Sequence, residues 1–391
     1  MKFETKAIRI QTDRSQHKEH STPLFPTSSF VFDDAEDMRA KFDGDVPGNI
    51  YSRFTNPSVA ELEVKMAALE GGEKAIATAS GMSAIFTCFA SFLSSGDHLI
   101  MSRAVFGSTF RVTENYLLKW GITFDFVDPG DVDSWSDLIR PETKILYLET
   151  PSNPGLEIID LEEVAKICKQ HKILMVVDNC FATPYLQKPL LYGADIVIHS
   201  ATKYIDGQGR VLGGVIVSTA DLISEMIPFM KNAGPSLSPF NAWILSKSLE
   251  TLAVRMDRHC SNAYDLALRL ENEYGVKSVR YPFKKDHPGY AIATKQMSGG
   301  GGIVAFEVEN GLTQGQIFLD SIRMCSLSAN LGDTRTIVTH PASTTHSKLT
   351  EDQRSAVGIT DGLIRVSVGL EHIDDIYQDI SQALKASMNQ Y

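Results

Sequence analysis

The sequence predicts an α/β protein, with a mostly parallel sheet covered by helices on both faces and a smaller C-terminal α/β domain. Three observations predict it. Short apolar segments suited to strands recur between residues 75 and 218, with helical stretches between several of them, as in sheets buried on both faces. After Pro239 the texture changes, and one long helical stretch leads into a second set of strands. A chain of 391 residues also exceeds one typical core and suggests two domains of unequal size.

Residues 1–56 form an N-terminal arm without sustained periodicity, apart from a short helical stretch near 34–42. Pro23, Pro26 and Pro47 interrupt it, and an irregular arm this long needs a surface to lie on, a neighbouring subunit being one candidate. Asn56 caps, and Pro57 opens, an amphipathic helix to about 70. A large domain, 57–245, follows, and its strand ends mark it as the expected ligand-binding one. Its strands are expected at 75–79, 98–102, 122–127, 144–149, 173–178, 194–200 and 214–218, and its clearest helices at 84–93 and 161–171. A helical stretch over 241–274 connects to the C-terminal domain, 246–391, with strands near 302–308 and 363–368 and a last helix over 373–388. Ser298-Gly-Gly-Gly-Gly302 reads as a flexible turn before a strand.

Bulk properties exclude several classes. A net charge of −11 argues against nucleic acid and against anionic membranes, which both demand basic surface. No apolar run is long enough to span a bilayer, and the opening Met1-Lys-Phe-Glu-Thr-Lys lacks a signal core. Five scattered cysteines (88, 168, 180, 260 and 325) make neither a disulfide framework nor a zinc site and suit a reducing cytoplasm. His340 and His346 lack metal-ligand company.

Ligands of such sheets bind beyond the carboxyl ends of the strands, so those ends carry the functional information. Ser80-Gly81-Met82 lies between a strand and a helix, where free N–H groups and the helix dipole favour a phosphate. Glu149-Thr-Pro-Ser-Asn153-Pro154 ends another strand in a rigid polar loop. Asp178 ends an apolar run that would bury its carboxylate unless a cation is near. Lys203 follows Ala194-Asp-Ile-Val-Ile-His-Ser-Ala-Thr, and desolvation makes such an amine a usable nucleophile. Three of them also have an ordinary reading: a Ser cap with a Gly turn at 80–82, a helix cap at Asp178, a lysine that reaches solvent at Lys203. Together they describe a ligand with a phosphate, a protonatable ring nitrogen and an aldehyde, and pyridoxal phosphate fits all three.

Seven motifs carry a resemblance over essentially the whole chain. They are Tyr51-Ser-Arg53-x-x-Asn56-Pro57, Ser80-Gly81-Met82, Glu149-Thr-Pro-Ser-Asn153-Pro154, Val177-Asp178-Asn179, Ser200-Ala-Thr-Lys203-Tyr204, His340-Pro-Ala-Ser343 and Arg365-Val-Ser-Val-Gly-Leu-Glu371. In this order they resemble the gamma-family pyridoxal-phosphate enzymes of cysteine and methionine metabolism. The resemblance implies the aminotransferase-like fold and a homotetramer built as a dimer of dimers. It implies that Lys203 holds the cofactor and moves protons, and that Asp178 pairs the ring nitrogen. Gly81, Met82, Ser200 and Thr202 would bind phosphate, with Tyr51 and Arg53 contributed by the partner subunit. Asn153 would contact the ring hydroxyl, and Arg365 would fork onto the substrate carboxylate.

Departures from the family pattern narrow the expected activity. The family usually stacks a tyrosine over the cofactor ring; here Phe106, in Phe106-Gly107-Ser108-Thr109, can stack but cannot donate a proton. Expelling a thiol benefits from an acid, whereas a carboxylate leaves without one, because its conjugate acid has a pKa of about 4 to 5. Phe106 therefore favours an acylated homoserine. Ser108 stands where methionine gamma-lyases carry a cysteine. Asn330 could help Arg365 through its NH2, and Arg210, in Asp206-Gly-Gln-Gly-Arg210, is a candidate reader of the distal carboxylate of a succinyl group, or else a solvated loop arginine. These segments resemble the O-succinylhomoserine sulfhydrylase branch, which implies an O-acylhomoserine and sulfide or a small thiol as partners; cystathionine gamma-synthase and O-acetylhomoserine sulfhydrylase are the alternatives within the family, ahead of a methionine or cystathionine gamma-lyase. The rival dinucleotide reading fails, because Gly207-Gln-Gly209-Arg-Val-Leu-Gly213 is one residue too long and leads into a strand.

Overall fold

The structure is a computed structural model that describes residues 1–345, 347, 350–351, 354 and 358–389. A seven-stranded sheet contains β1 (Lys74–Thr78), β2 (His98–Ser102), β3 (Thr123–Val127), β4 (Thr143–Glu149), β5 (Leu174–Asp178), β6 (Ile196–Ser200) and β7 (Gly214–Ser218), in the order β1-β7-β6-β5-β4-β2-β3. The run from β3 through β6 is parallel throughout, and β7 alone opposes its neighbours β6 and β1. The expected strands are all present, shifted by a residue or two at their ends.

Alternation along the central strands explains their unbroken apolar runs. Ile145, Tyr147, Val176, Ile196, Ile198 and Ile216 pack on one face with Ile85 and Phe89 of the helix Gly81–Phe92 and Met226 of the helix Ala220–Ala233. Leu146, Leu148, Met175, Val177 and Val197 pack on the other with Leu161, Val164 and Cys168 of the helix Leu161–His171. Each fully buried aliphatic side chain contributes about 1.5–3 kcal/mol, so both faces must be covered for these strands to be stable.

The second sheet contains β8 (Val276–Arg280), β9 (Ile303–Val308), β10 (Ser326–Leu327), β11 (Ile337–Thr339) and β12 (Leu363–Ser367), in the order β10-β11-β12-β9-β8. It is antiparallel apart from β10–β11. Its inner face packs Phe306, Val304, Ile364 and Val366 against Leu266 and Leu270 of the helix Leu252–Leu270, Phe318 of Gly311–Ser321 and Ile376 and Ile380 of Ile373–Met388.

Several expectations are corrected. The helical stretch over 241–274 is two helices, Pro239–Leu249 and Leu252–Leu270. Between them Glu250 and Thr251 donate to Lys247 and Ser248, closing tighter turns that end the first helix. The expected boundary at 245/246 falls inside the first of these helices. The N-terminal arm contains a second helix, Phe3–Arg9, whose Ala7 is buried. Strand β8 has no buried residue and no alternation, so no periodicity announced it. The glycine run is no flexible turn. A Cβ on Gly300 would lie 2.5 Å from the Tyr281 ring and one on Gly302 2.6 Å from the Tyr204 hydroxyl, so these glycines permit close packing.

His346 lies outside the described residues, and among those described no group of His, Cys, Asp and Glu could hold a metal ion. Among them, too, no helix is long and apolar enough to cross a membrane.

Candidate active site

The register of the parallel strands brings the candidate residues together. Glu149 at the end of β4 lies directly beside Asp178 at the end of β5, and Asp178 lies beside Ile198, two residues before the end of β6 at Ser200. Lys203 sits on the turn that follows β6.

One corner is shaped for a phosphate. Ser80 caps the helix Gly81–Phe92 by accepting from the Ser83 N–H at 3.1 Å, and the first N–H groups of that helix have no intrahelical acceptor. A Cβ on Gly81 would lie 2.6 Å from Cβ and 2.8 Å from Oγ of Ser200, so only glycine lets helix and strand end meet. Thr202 closes the corner by exchanging hydrogen bonds with Gly213: its Oγ1 accepts from the Gly213 N–H at 3.1 Å. Met82 is half-buried on the same helix turn, with Sδ 3.9 Å from Thr109 Oγ1. Gly81, Met82, Ser200 and Thr202 are thus neighbours.

The carboxylate of Asp178 is buried. It accepts from the Cys180 N–H at 3.0 Å and from the Tyr147 hydroxyl at 3.3 Å. Burial holds this carboxyl above the ordinary aspartate range despite those donors, so an anion here calls for a further cation. Beside it, Glu149 is also buried and accepts from the Phe106 N–H at 2.9 Å. Burial first, and then the neighbouring Asp178, hold Glu149 well above the usual carboxylate range. Sequence reasoning passed over Glu149 as chemistry, although it ends an apolar strand just as Asp178 does.

Burial pushes the Lys203 amine below the ordinary lysine range; Arg365 adds to that, while Asp178 and Glu149 oppose it. Its Nζ donates to Oδ1 of Asn330 at 2.6 Å. Arg365, on β12, reaches across from the second sheet, and its guanidinium donates to Asn153 Oδ1, to the Asn330 carbonyl and to Thr339 Oγ1, each at 3.0 Å. Burial lowers its pKa to about 10, and its Nε, also buried, has no partner among the described residues. Phe106 caps the helix Gly107–Val112 and is 44% exposed.

Three expected residues are held elsewhere. Arg53 donates to the Lys231 carbonyl and lies over the Phe54 ring, and Tyr51, next to it, is exposed. Arg210 is drawn back onto Asp206 of its own loop, its Nε donating at 3.0 Å and its backbone N–H at 2.7 Å, and Nη2 also reaches Ser248.

These features fit pyridoxal phosphate: a cradle that a Cβ at 81 would fill, a buried carboxylate short of a cation, a depressed amine and a half-satisfied guanidinium. The model of Cys/Met metabolism PLP-dependent enzymes matches residues 4–385. The chain belongs to this family. It is 48% identical to an O-succinylhomoserine sulfhydrylase of Pseudomonas aeruginosa over 98% of this chain and 95% of that protein. It is 41% identical to an L-methionine gamma-lyase of Fusobacterium nucleatum, with 97% of each covered. A Campylobacter jejuni crystal structure that carries N′-pyridoxyl-lysine-5′-monophosphate matches with a TM-score of 0.95 and 33% identity, over 98% of this chain and 100% of that one. The fold is that of the Cys/Met family, and its cofactor is pyridoxal phosphate.

Proposed function

We propose that this family member replaces the acyl group of an O-acylhomoserine, O-succinylhomoserine first, with sulfide to give homocysteine in methionine biosynthesis. The observation that carries this reading is Phe106, held on Glu149 beside the strand ends, where a hydroxyl would be needed to protonate a departing thiol. A carboxylate leaving group needs no such acid. The similarity to an O-succinylhomoserine sulfhydrylase supports the same choice.

Bound pyridoxal phosphate supplies an electron sink for a carbanion at the substrate's alpha carbon. The first turn at Gly81 and Met82, with Ser200 and Thr202, would hold its phosphate, and Asp178 would face the ring nitrogen as an anion. Lys203 would anchor the cofactor through Nζ. Once substrate is bound, that same nitrogen, whose pKa burial lowers, would take the alpha proton and return protons later. Arg365 would grip the substrate carboxylate, with Asn153 orienting the guanidinium from one side and Thr339 from the other. Tyr51 and Arg53, which leave their own protomer's strand ends, would serve the phosphate of a partner subunit in a cytoplasmic homotetramer.

The deciding experiment offers O-succinyl- and O-acetylhomoserine, each with sulfide and with cysteine, and identifies the products. Homocysteine from the succinyl ester and sulfide is expected to dominate; cystathionine from cysteine as the main product would overturn the reading. A second reading, gamma-elimination, rests on the methionine gamma-lyase relatives and would show as 2-oxo acid formed without any acceptor.

A further inference from the structure

Arg255 lies outside every motif discussed above, yet its side chain reaches the turn that carries Lys203. It is 6% exposed, and all of its hydrogen bonds go to neutral oxygens. Nη1 donates to the Tyr204 carbonyl at 2.6 Å and Nη2 to the Ile205 carbonyl at 3.2 Å, the two residues directly after Lys203. Nη2 also donates to the Ser248 carbonyl at 3.1 Å, and Nε to Thr251 Oγ1 at 3.3 Å, both at the break between the helices Pro239–Leu249 and Leu252–Leu270.

Residues 201–206 form a helical turn, closed by the Asp206 N–H on Ala201 at 2.9 Å and ended by the Gly207 N–H on the Lys203 carbonyl at 2.8 Å. Gly207 has a φ of +71°, and a Cβ there would overlap Nη1 of Arg255. The last carbonyls of such a turn have no acceptor role inside it and need an outside donor. Arg255 supplies that donor twice over. The Gly207 carbonyl in turn accepts from the Thr334 N–H at 2.9 Å, four residues beyond the Asn330 that holds the Lys203 amine.

Among the described residues no carboxylate forms an ion pair with this guanidinium, although Asp206 nearby favours its charge; burying it is costly, and an uncharged cap would do for stability alone. What this one does is join two features that need joining. We propose that Arg255 is a positioning residue for Lys203, fastening the turn beneath the lysine to the helix break where the two sheets' flanking helices meet. The proposal rests on Lys203 being the cofactor lysine.

The test uses the full-length protein and two variants. Arg255→Lys keeps a charge but loses the two-pronged donor, and Gly207→Ala displaces the guanidinium without removing it. Apoprotein is mixed with pyridoxal phosphate, uptake is followed by absorbance, and borohydride-trapped cofactor is mapped by mass spectrometry. The pH midpoint of the bound cofactor's visible band and the thermal unfolding midpoint are measured alongside. Both variants are expected to take up cofactor roughly ten- to a hundredfold more slowly, the scale on which ~1 Å of misplacement acts, and to shift the spectral midpoint. Folded variants with wild-type uptake and midpoint, lower only in thermal stability, would reduce Arg255 to an ordinary structural cap. If Arg255→Lys does not fold, Gly207→Ala decides on the same criteria. Cofactor trapped on another lysine in the unaltered protein would instead remove the assignment of Lys203, leaving a separate and recognisable failure.

Discussion

Asn330 holds Lys203 and Arg365 at once: its side-chain oxygen accepts from the lysine amine at 2.6 Å, and its main-chain oxygen accepts from the arginine at 3.0 Å. Beside the expected help of its NH2 to Arg365 in binding substrate, Asn330 as an acceptor would orient the amine that moves protons. Asn330→Ala should lower kcat about ten- to a hundredfold, since a hydrogen bond to a charged group is worth about 1.5–3 kcal/mol. Asn330→Asp places an anion beside Lys203, which favours the ammonium form. The acidic limb of the kcat–pH profile should therefore move to higher pH, and a limb that stays in place would refute this role.

Phe106 is the residue on which the choice of leaving group turns. Phe106→Tyr adds a hydroxyl at a half-exposed position without disturbing the N–H bond to Glu149. It is expected to raise gamma-elimination from a thioether substrate relative to turnover of an acyl ester. The 2-oxo acid released from methionine and from O-succinylhomoserine, measured side by side, checks this.

Arg210 is already committed to Asp206 through its side chain and its backbone. Arg210→Ala should leave the preference for succinyl over acetyl esters within about twofold and lower the thermal midpoint, because the loop loses a buried carboxylate's partner. A collapse of the succinyl preference, read as a ratio of kcat/KM values, would return Arg210 to the substrate.

Gly81→Ala would drive a methyl group into Ser200 at 2.6 Å. Overpacking of this kind costs about 1–3 kcal/mol, and here it also separates the helix N-terminus from the strand end. Weaker pyridoxal phosphate binding with modestly reduced stability is expected, by titration of the apoprotein and by thermal unfolding.

Glu63 accepts from the Ala77 N–H on the open edge of β1 at 2.9 Å, and burial pushes its carboxyl up from 4.5 to about 7. A carboxyl raised in the folded state binds more protons there than in the unfolded chain. Its penalty is therefore absent below 4.5, grows as pH rises, and is complete above about 7. Glu63→Gln keeps an acceptor for Ala77 and removes the charge. The thermal midpoint of this variant should gain on the parent steadily across that window, and parallel curves would contradict the assignment.

Much of this site was legible because it lies where short sequence segments end. Asp178 ends an apolar strand and Lys203 lies on the turn just after one, and a charge in such a place signals chemistry or a partner before any fold is known. Glu149 met the same criterion and was missed, because its loop, Thr150 to Pro154, drew attention to Asn153 instead. Strand β8 and the helix Phe3–Arg9 were missed for want of periodicity: one is an edge strand, the other buries a single residue.

By itself the sequence determined the alternation of strands and helices, the cofactor class and the residues at the strand ends, since each depends on neighbours along the chain. Only the tertiary structure decided what those residues touch. Register set Glu149 against Asp178, the second sheet delivered Arg365 to Asn153 across 212 positions of chain, and Arg255 came to the Lys203 turn from 50 positions beyond it. It also turned Arg210 inward onto Asp206. Such contacts are decided by which charge can be satisfied where the elements pack, a condition that no local pattern of residues expresses.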